Sequence, residues 1–322
     1  MNQAPTPGFV ELHGGSTSVR VVPALGGKLA GMRLAGREWL WASEVIPPRV
    51  PGAAERADDA SYVTLADSGG YDECFPTVGA CTLPDEAGAF AGLALPDHGE
   101  LWSAQPVVDV RAGEGGHSAT LTWRGRRMPY RFEREVRVTP GGEVVMRYAV
   151  TNGGSSPMPF LWSAHPLLPL GPRTRLDLPA GTRVRVYAQH GIDLGGPGAE
   201  HRWPLLQRGK KAADLSAPDA VARRYACKLF LDARASWAAV VEDGARLEVA
   251  FDPRDVPNLG LWINRRGWTP FARGKPYLNL AVEPCIGAPD SLADALSPAW
   301  QGAHWLQPGE TREWELVWRG TT

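Results

Sequence analysis

The chain has 322 residues, 43% of them hydrophobic, which is enough to bury a large core. Lys and Arg total 34 against 35 Asp and Glu, a balance that gives no overall field for nucleic acid or an anionic membrane surface. No apolar run is long enough to span a bilayer, and Met1–Pro5 shows no basic-then-apolar leader pattern.

Strand signals dominate the chain in order. Ser18–Val22, Ala119–Trp123, Tyr130–Val138, Glu143–Val150, Arg183–Tyr187, Leu247–Phe251, Tyr277–Val282 and Arg312–Trp318 are short. They alternate, are rich in Val, Tyr, Phe or Trp, and are bounded by Gly or Pro. Thr139-Pro140-Gly141-Gly142 reads as a hairpin turn, and Gly153–Pro157 as a loop entering the next strand. Ala42–Ala60 reads as a surface excursion and Gly191–Gly198 as a loop. Helical signals are few: Asp290–Leu296 before Pro298, and Lys210–Tyr225, which Pro218 interrupts. The lack of a long amphipathic helix argues against βαβ architectures. The pattern predicts an all-β protein, a large antiparallel β-sandwich spanning 1–322 as one domain.

The four cysteines, Cys74, Cys81, Cys227 and Cys285, form no CxxC pair. So few in so long a chain read as reduced residues of a cytoplasmic protein rather than a disulfide framework. The 13 Trp residues mostly serve packing. A pyranose, however, has an apolar face that stacks on an aromatic ring, and Trp102 and Trp162 lie near two histidines set in Pro-rich runs.

Those runs carry the chemistry. Pro96-Asp97-His98-Gly99-Glu100-Leu101-Trp102, Leu161-Trp162-Ser163-Ala164-His165-Pro166 and Asn279–Cys285 with Glu283-Pro284 bring two histidines and a glutamate into view. His donates a proton near neutral pH and Glu accepts one. Proline biases the residue before it toward extended backbone, which predicts His165 and Glu283 on strands or strand ends. Glu283 lies in an apolar run, and a buried glutamate is uncommon without a role. Read alone, His165 is a satisfied core histidine and His98 a loop histidine. Asp72 and Glu73 follow Gly69-Gly70, where they either contact hydroxyls or cap a turn. Lys228 either snorkels to the surface or reaches a hydroxyl or an anionic substituent. With Arg265 and Arg266 it would make an anionic-sugar site, although a solvated loop explains the arginines equally.

Taken together, Asn152 followed by Pro157, Pro159 and His165-Pro166, the upstream His98-Gly99 segment, and Ala281-Val282-Glu283-Pro284 followed by Pro289-Asp290 resemble the aldose 1-epimerase (galactose mutarotase-like) family in order and rough spacing. The resemblance covers most of the chain. It implies a large β-sandwich and anomerisation of a hexose without a cofactor or metal. Glu283 would be the general base, His165 the general acid and His98 a second polar contact. Asp72, Glu73, Trp102, Trp162 and Lys228 would be sugar contacts. The mechanism requires Glu283 ionised and His165 protonated, and Asp72, Glu73 or Glu283 is expected to supply the negative neighbour that keeps it so. The chain departs from the galactose-specific branch at two places. Gly69–Pro76 is acidic where that branch has Arg, and Cys227–Phe230 lacks an acidic residue. Two other readings are a non-catalytic carbohydrate-binding protein of the same fold and a cupin-like isomerase whose metal would sit on His98, Glu100, His165 and Asp72. The expected partner is a small sugar, with no nucleic acid or membrane.

Overall fold

The computed structural model describes residues 8–52, 61–113, 116–208, 211–232 and 236–322. Alternating sequences make its strands. In Tyr130–Val138 the residues Tyr130, Phe132, Arg134, Val136 and Val138 all point inward and are buried, and those between are half-buried or exposed. That strand lies within an eight-stranded antiparallel sheet, in the order Arg175–Asp177, Trp237–Glu242, Ala245–Phe251, Thr311–Thr321, Val144–Asn152, Tyr130–Val138, Gly116–Arg124 and Val107–Gly113.

An eleven-stranded antiparallel sheet packs against it. Its order is Val10–Gly14, Thr17–Val22, Lys28–Leu34, Tyr71–Cys74, Trp162–Pro169, Leu278–Ile286, Asn258–Arg265, Tyr225–Asp232, Arg183–His190 and Glu200–Arg202, with Arg37–Glu38 off Lys28–Leu34. One continuous core joins the two sheets. Trp162 of the larger sheet lies 4.8 Å, ring to ring, from both Tyr148 and Trp314 of the smaller. The expected large antiparallel sandwich is what forms.

The middle of the larger sheet is buried on both faces. Every residue of Tyr71–Cys74 and every residue from Trp162 to Leu168 is buried. Its inner face meets the other sheet. Its outer face is covered by connecting segments, and between them and the sheet lies a cavity lined by residues of both.

One expectation fails locally. Lys210 lies outside the described residues, but the rest of 210–225 holds no helix beyond the single turn Pro218–Val221. The hairpin of Leu205–Arg208 and Lys211–Asp214 precedes it. Pro218 opens that turn, at the position where a missing N–H costs nothing. The helix expected over Asp290–Leu296 is Leu292–Leu296, capped by Ser291 Oγ accepting from Asp294 N. The excursion read over Ala42–Ala60 is described only to Gly52. The four cysteines are free. Among the described residues no helix is long and apolar enough to cross a membrane.

Candidate active site

Register places the ionisable residues. His165 pairs with Asp72 across Trp162–Pro169 and Tyr71–Cys74, and Glu283 pairs with Gly260 across Leu278–Ile286 and Asn258–Arg265. Asp72, His165 and Glu283 therefore share a row on the outer face. Lys228 reaches that row from Tyr225–Asp232. A Cβ at Gly260 would stand 3.1 Å from Glu283 Oε2 and 3.5 Å from Lys228 Cε. Glycine at this position leaves room for the lysine stem to cross.

Glu283 is fully buried. Its Oε2 is taken up by the Lys228 ammonium and by Ser163 Oγ, which donates at 3.3 Å. Its Oε1 has no partner within the protein. Lys228 also lies 3.0 Å from Asp290. Burial raises the Glu283 carboxyl above the ordinary range and outweighs the attraction of Lys228. The lysine is held firmly charged: burial opposes its charge, but Asp290 and Glu283 more than offset it.

His98 arrives from the loop after Ala94–Leu95. Its backbone is left-handed (φ 60°), and its N–H donates to Val78 O at 2.6 Å. A non-glycine residue held there costs on the order of 1–3 kcal/mol and persists only where the surroundings impose it. Here they do. Glu100 N donates to Phe75 O, and the buried Glu100 carboxylate accepts from Arg127 N and Tyr130 OH. Nδ1 of His98 meets Asp97 Oδ1 at 2.8 Å, which leaves Nε2 for the cavity. Its ring stacks on Tyr62 (4.1 Å, 18°) and stands edge-on to His165 (5.0 Å, 88°). Burial works against a charged His98, but Asp97 overcomes it and raises its pKa above the usual value.

His165 is the opposite case. Burial, then the charges of His98, Lys228 and Lys28, hold its pKa well below the ordinary imidazole value, and its Nδ1 is unpartnered. His98, His165, Lys228, Glu283 and Asp290 line one cavity of about 440 Å³, walled by Trp262, Trp268, Tyr277 and Tyr187. That is the scale of a small-molecule site.

No family model and no curated protein matches the sequence. Solved structures do match over the whole chain. A Synechocystis protein is 19% identical with a TM-score of 0.68, covering 100% of this chain and 99% of its own. A candidate aldose 1-epimerase from Escherichia coli K12 is 17% identical at 0.64, covering 98% and 99%. A galactose mutarotase related enzyme from Lactobacillus acidophilus is 17% identical at 0.64, covering 98% and 98%. This chain has the galactose mutarotase-like fold. The family likeness read from the three sequence segments is thus matched by the architecture.

On this fold His98, His165, Glu283 and Lys228 come together at the cavity. Other expected contacts do not, and their positions need correction. Glu73 faces inward, because side chains alternate along a strand. It accepts from Arg134, Tyr148 OH and Trp162 Nε1 between the sheets. Trp162 is buried with it, so neither reaches a sugar. Asp72 does face outward but is covered by Tyr62, whose OH donates to it at 2.6 Å, and it is paired with Lys28. Trp102 packs edge-on to Tyr62 and donates to Asp97 O, bracing the His98 loop. None of these four carboxylates and tryptophans lines the cavity. The expected negative neighbour of His165 is also absent: Asp72, Glu73 and Glu283 are each bound to their own cation, and it is His98, beside Asp97, whose charged form is favoured. Lys228 is engaged in ion pairs instead of awaiting an anionic substituent. Arg265 is bound to Asp219 at 2.7 Å, against the anionic-sugar reading. Among the described residues no three His, Cys, Asp or Glu side chains converge as metal ligands, so the set offered for a cupin-like centre does not assemble.

Sequence reasoning gave Asp97 and Asp290 no role. Asp97 adjoins His98, and that dipeptide was the available signal; Asp290 meets Lys228 only in the fold, at 3.0 Å.

Proposed function

We propose that this chain interconverts the α and β anomers of an aldose by acid–base ring opening. Glu283 Oε1 takes the proton of the anomeric hydroxyl while His98 Nε2 gives one to the ring oxygen. The bond from C1 to the ring oxygen breaks, the open-chain aldehyde rotates about C1–C2, and the reverse transfers close the ring on the other face. No group is consumed, and each positioned proton-transfer group contributes typically about 10²–10⁴-fold. Neutral His165 serves as a hydrogen-bonding partner beside the acid, its edge toward His98.

One observation supports this reading above the others. An unpartnered Glu283 oxygen and an Asp97-held histidine face the same cavity. The fold shared with mutarotase-related proteins agrees with it. The test is saturation-transfer NMR or polarimetry on a panel of aldoses, with and without a strong chelator. Acceleration above the spontaneous rate, unchanged by chelator and lost by about 10²-fold or more in Glu283→Gln, is the expected result. A chain that binds aldoses yet leaves anomers exchanging at the spontaneous rate is a binding protein on this fold. A rate abolished by chelation overturns the cofactor-free mechanism.

A further inference from the structure

Two of the unpartnered buried groups in the cavity, on Asp67 and Asn279, transfer no proton themselves, although the Asp67 charge adds to that of Asp97 in favouring a charged His98. Asp67 is 5% exposed and Asn279 1% exposed. Asp67 Oδ1 and Asn279 Nδ2 have no partner within the protein, and both residues line the cavity. Buried polar atoms are nearly always satisfied, so orphans in a cavity wall mark where a ligand's polar groups belong. The Asn279 amide is oriented by Trp262 Nε1, which donates to its Oδ1 at 3.3 Å. Nδ2 is thereby turned to the cavity as a donor. Asp67 Oδ1 is an acceptor. A sugar hydroxyl is both donor and acceptor, so hydroxyls of one ligand held in this cavity satisfy both groups.

Distance says which hydroxyls. Asn279 and Glu283 lie on one face of Leu278–Ile286, four residues apart. At a rise of about 3.3 Å per residue their Cα atoms are roughly 13 Å apart, on one wall of a cavity of about 440 Å³. A sugar that meets Glu283 at its anomeric hydroxyl therefore meets Asn279 with hydroxyls toward the other end of its ring. The Asp67 carboxylate in the cavity wall, with Arg265 committed to Asp219, disfavours phosphate or carboxylate substituents on the ligand.

We infer that Asp67 and Asn279 form a hydroxyl-reading pair that grips an uncharged monosaccharide on the side away from its anomeric carbon and sets which aldose is accepted. This rests on the anomerisation reading. Burial pushes the Asp67 carboxyl up to about 6, against the pull of Lys28 and His98, so at neutral pH it remains an acceptor.

The test compares wild type with Asp67→Leu and Asn279→Leu on the best aldose and its monodeoxy analogues, after thermal unfolding shows the variants folded. Losing a hydrogen bond to a charged acceptor should raise KM for the parent sugar by about tenfold or more in Asp67→Leu, with a smaller fall in kcat. One deoxy analogue should be penalised in wild type and carry no added penalty in the variants. A wild-type KM in both variants, or a rise that is the same for every analogue, overturns the pair while leaving the anomerase intact. If wild type accelerates no aldose, the parent reading fails. The pair is then judged by tryptophan-fluorescence titration with the same sugars: binding weakened in Asp67→Leu supports it, and equal or no binding overturns it.

Discussion

Lys228→Met isolates the electrostatics of the base. The methionine keeps the length of the buried stem and deletes the ammonium. Side-chain exposure is 6% for Lys228 and 1% for Glu283, so water replaces little of what is lost. A charge contact of about 4 Å at an effective dielectric near 20 is worth about 4 kcal/mol. Breaking a buried pair by removing one partner costs about 3–5 kcal/mol in practice. The protein can recover part of that by placing a proton on Glu283. In the variant the folded state then binds a proton more tightly than the unfolded chain does, so its stability deficit shrinks as pH falls. Urea unfolding should show a loss of about 3–5 kcal/mol at pH 8 and a smaller one at pH 5. The same proton disables the base: the rate at neutral pH should drop by more than about tenfold, with the acidic limb of the profile displaced to higher pH. Lys228→Met/Glu283→Gln should regain much of the stability and stay inactive. A single variant with wild-type stability at pH 8 and an unmoved acidic limb refutes the argument.

Wild type should give a bell-shaped profile. Its rate rises as Glu283, raised by burial, ionises, and falls as His98, raised by Asp97, deprotonates. In Asp97→Asn the alkaline limb should move to lower pH, while His165→Asn leaves that limb in place; a shift in the latter alone reassigns the acid. Gly260→Ala puts a methyl 3.1 Å from Glu283 Oε2 and 3.2 Å from its Cβ. It should cost about 1–3 kcal/mol of stability and lower kcat more than it raises KM, measured by unfolding and steady-state kinetics. Arg134→Met strands buried Glu73 and should cost about 3–5 kcal/mol with the urea slope preserved; a loss below about 1 kcal/mol would show the inter-sheet pair to be dispensable.

The architecture was legible because most strands bury one face, so Tyr130–Val138 and Thr311–Thr321 print a period of two in the sequence. Tyr225–Asp232, buried through all but its last residue, carries no such alternation and went unread as a strand. Glu283 and His165 were visible because charged groups in apolar runs stand out. Which carboxylate meets which cation was not visible. Asp72 and Glu73 are neighbours of similar chemistry, and only the pleat decides that one faces Lys28 and the other Arg134. The opposite shifts of the two histidines are likewise set by surroundings: burial, then the charges of His98, Lys228 and Lys28, lower His165, whereas Asp97 adjoins His98 and raises it. Asp67 and Asn279 are ordinary polar residues in sequence and gain meaning only through burial beside a cavity.

The adjacent carboxylates of Tyr71–Cys74 also act as an alignment device. This strand has four residues, all buried, and contacts Lys28–Leu34 through the single register pair Leu29 with Tyr71. Its one large apolar group, Tyr71, edge-on to Trp318 at 5.9 Å, supplies only part of the resistance to a shift of one residue, which would turn every side chain over. Charge resists it. Shifted one way, Asp72 meets Arg134 and Lys28 is left facing Tyr71. Shifted the other way, Glu73 meets Lys28 and Arg134 is left facing Cys74. Either error strands a buried cation at a cost of about 3–5 kcal/mol, so the strand that sets His165 in its row is kept in frame by its charges.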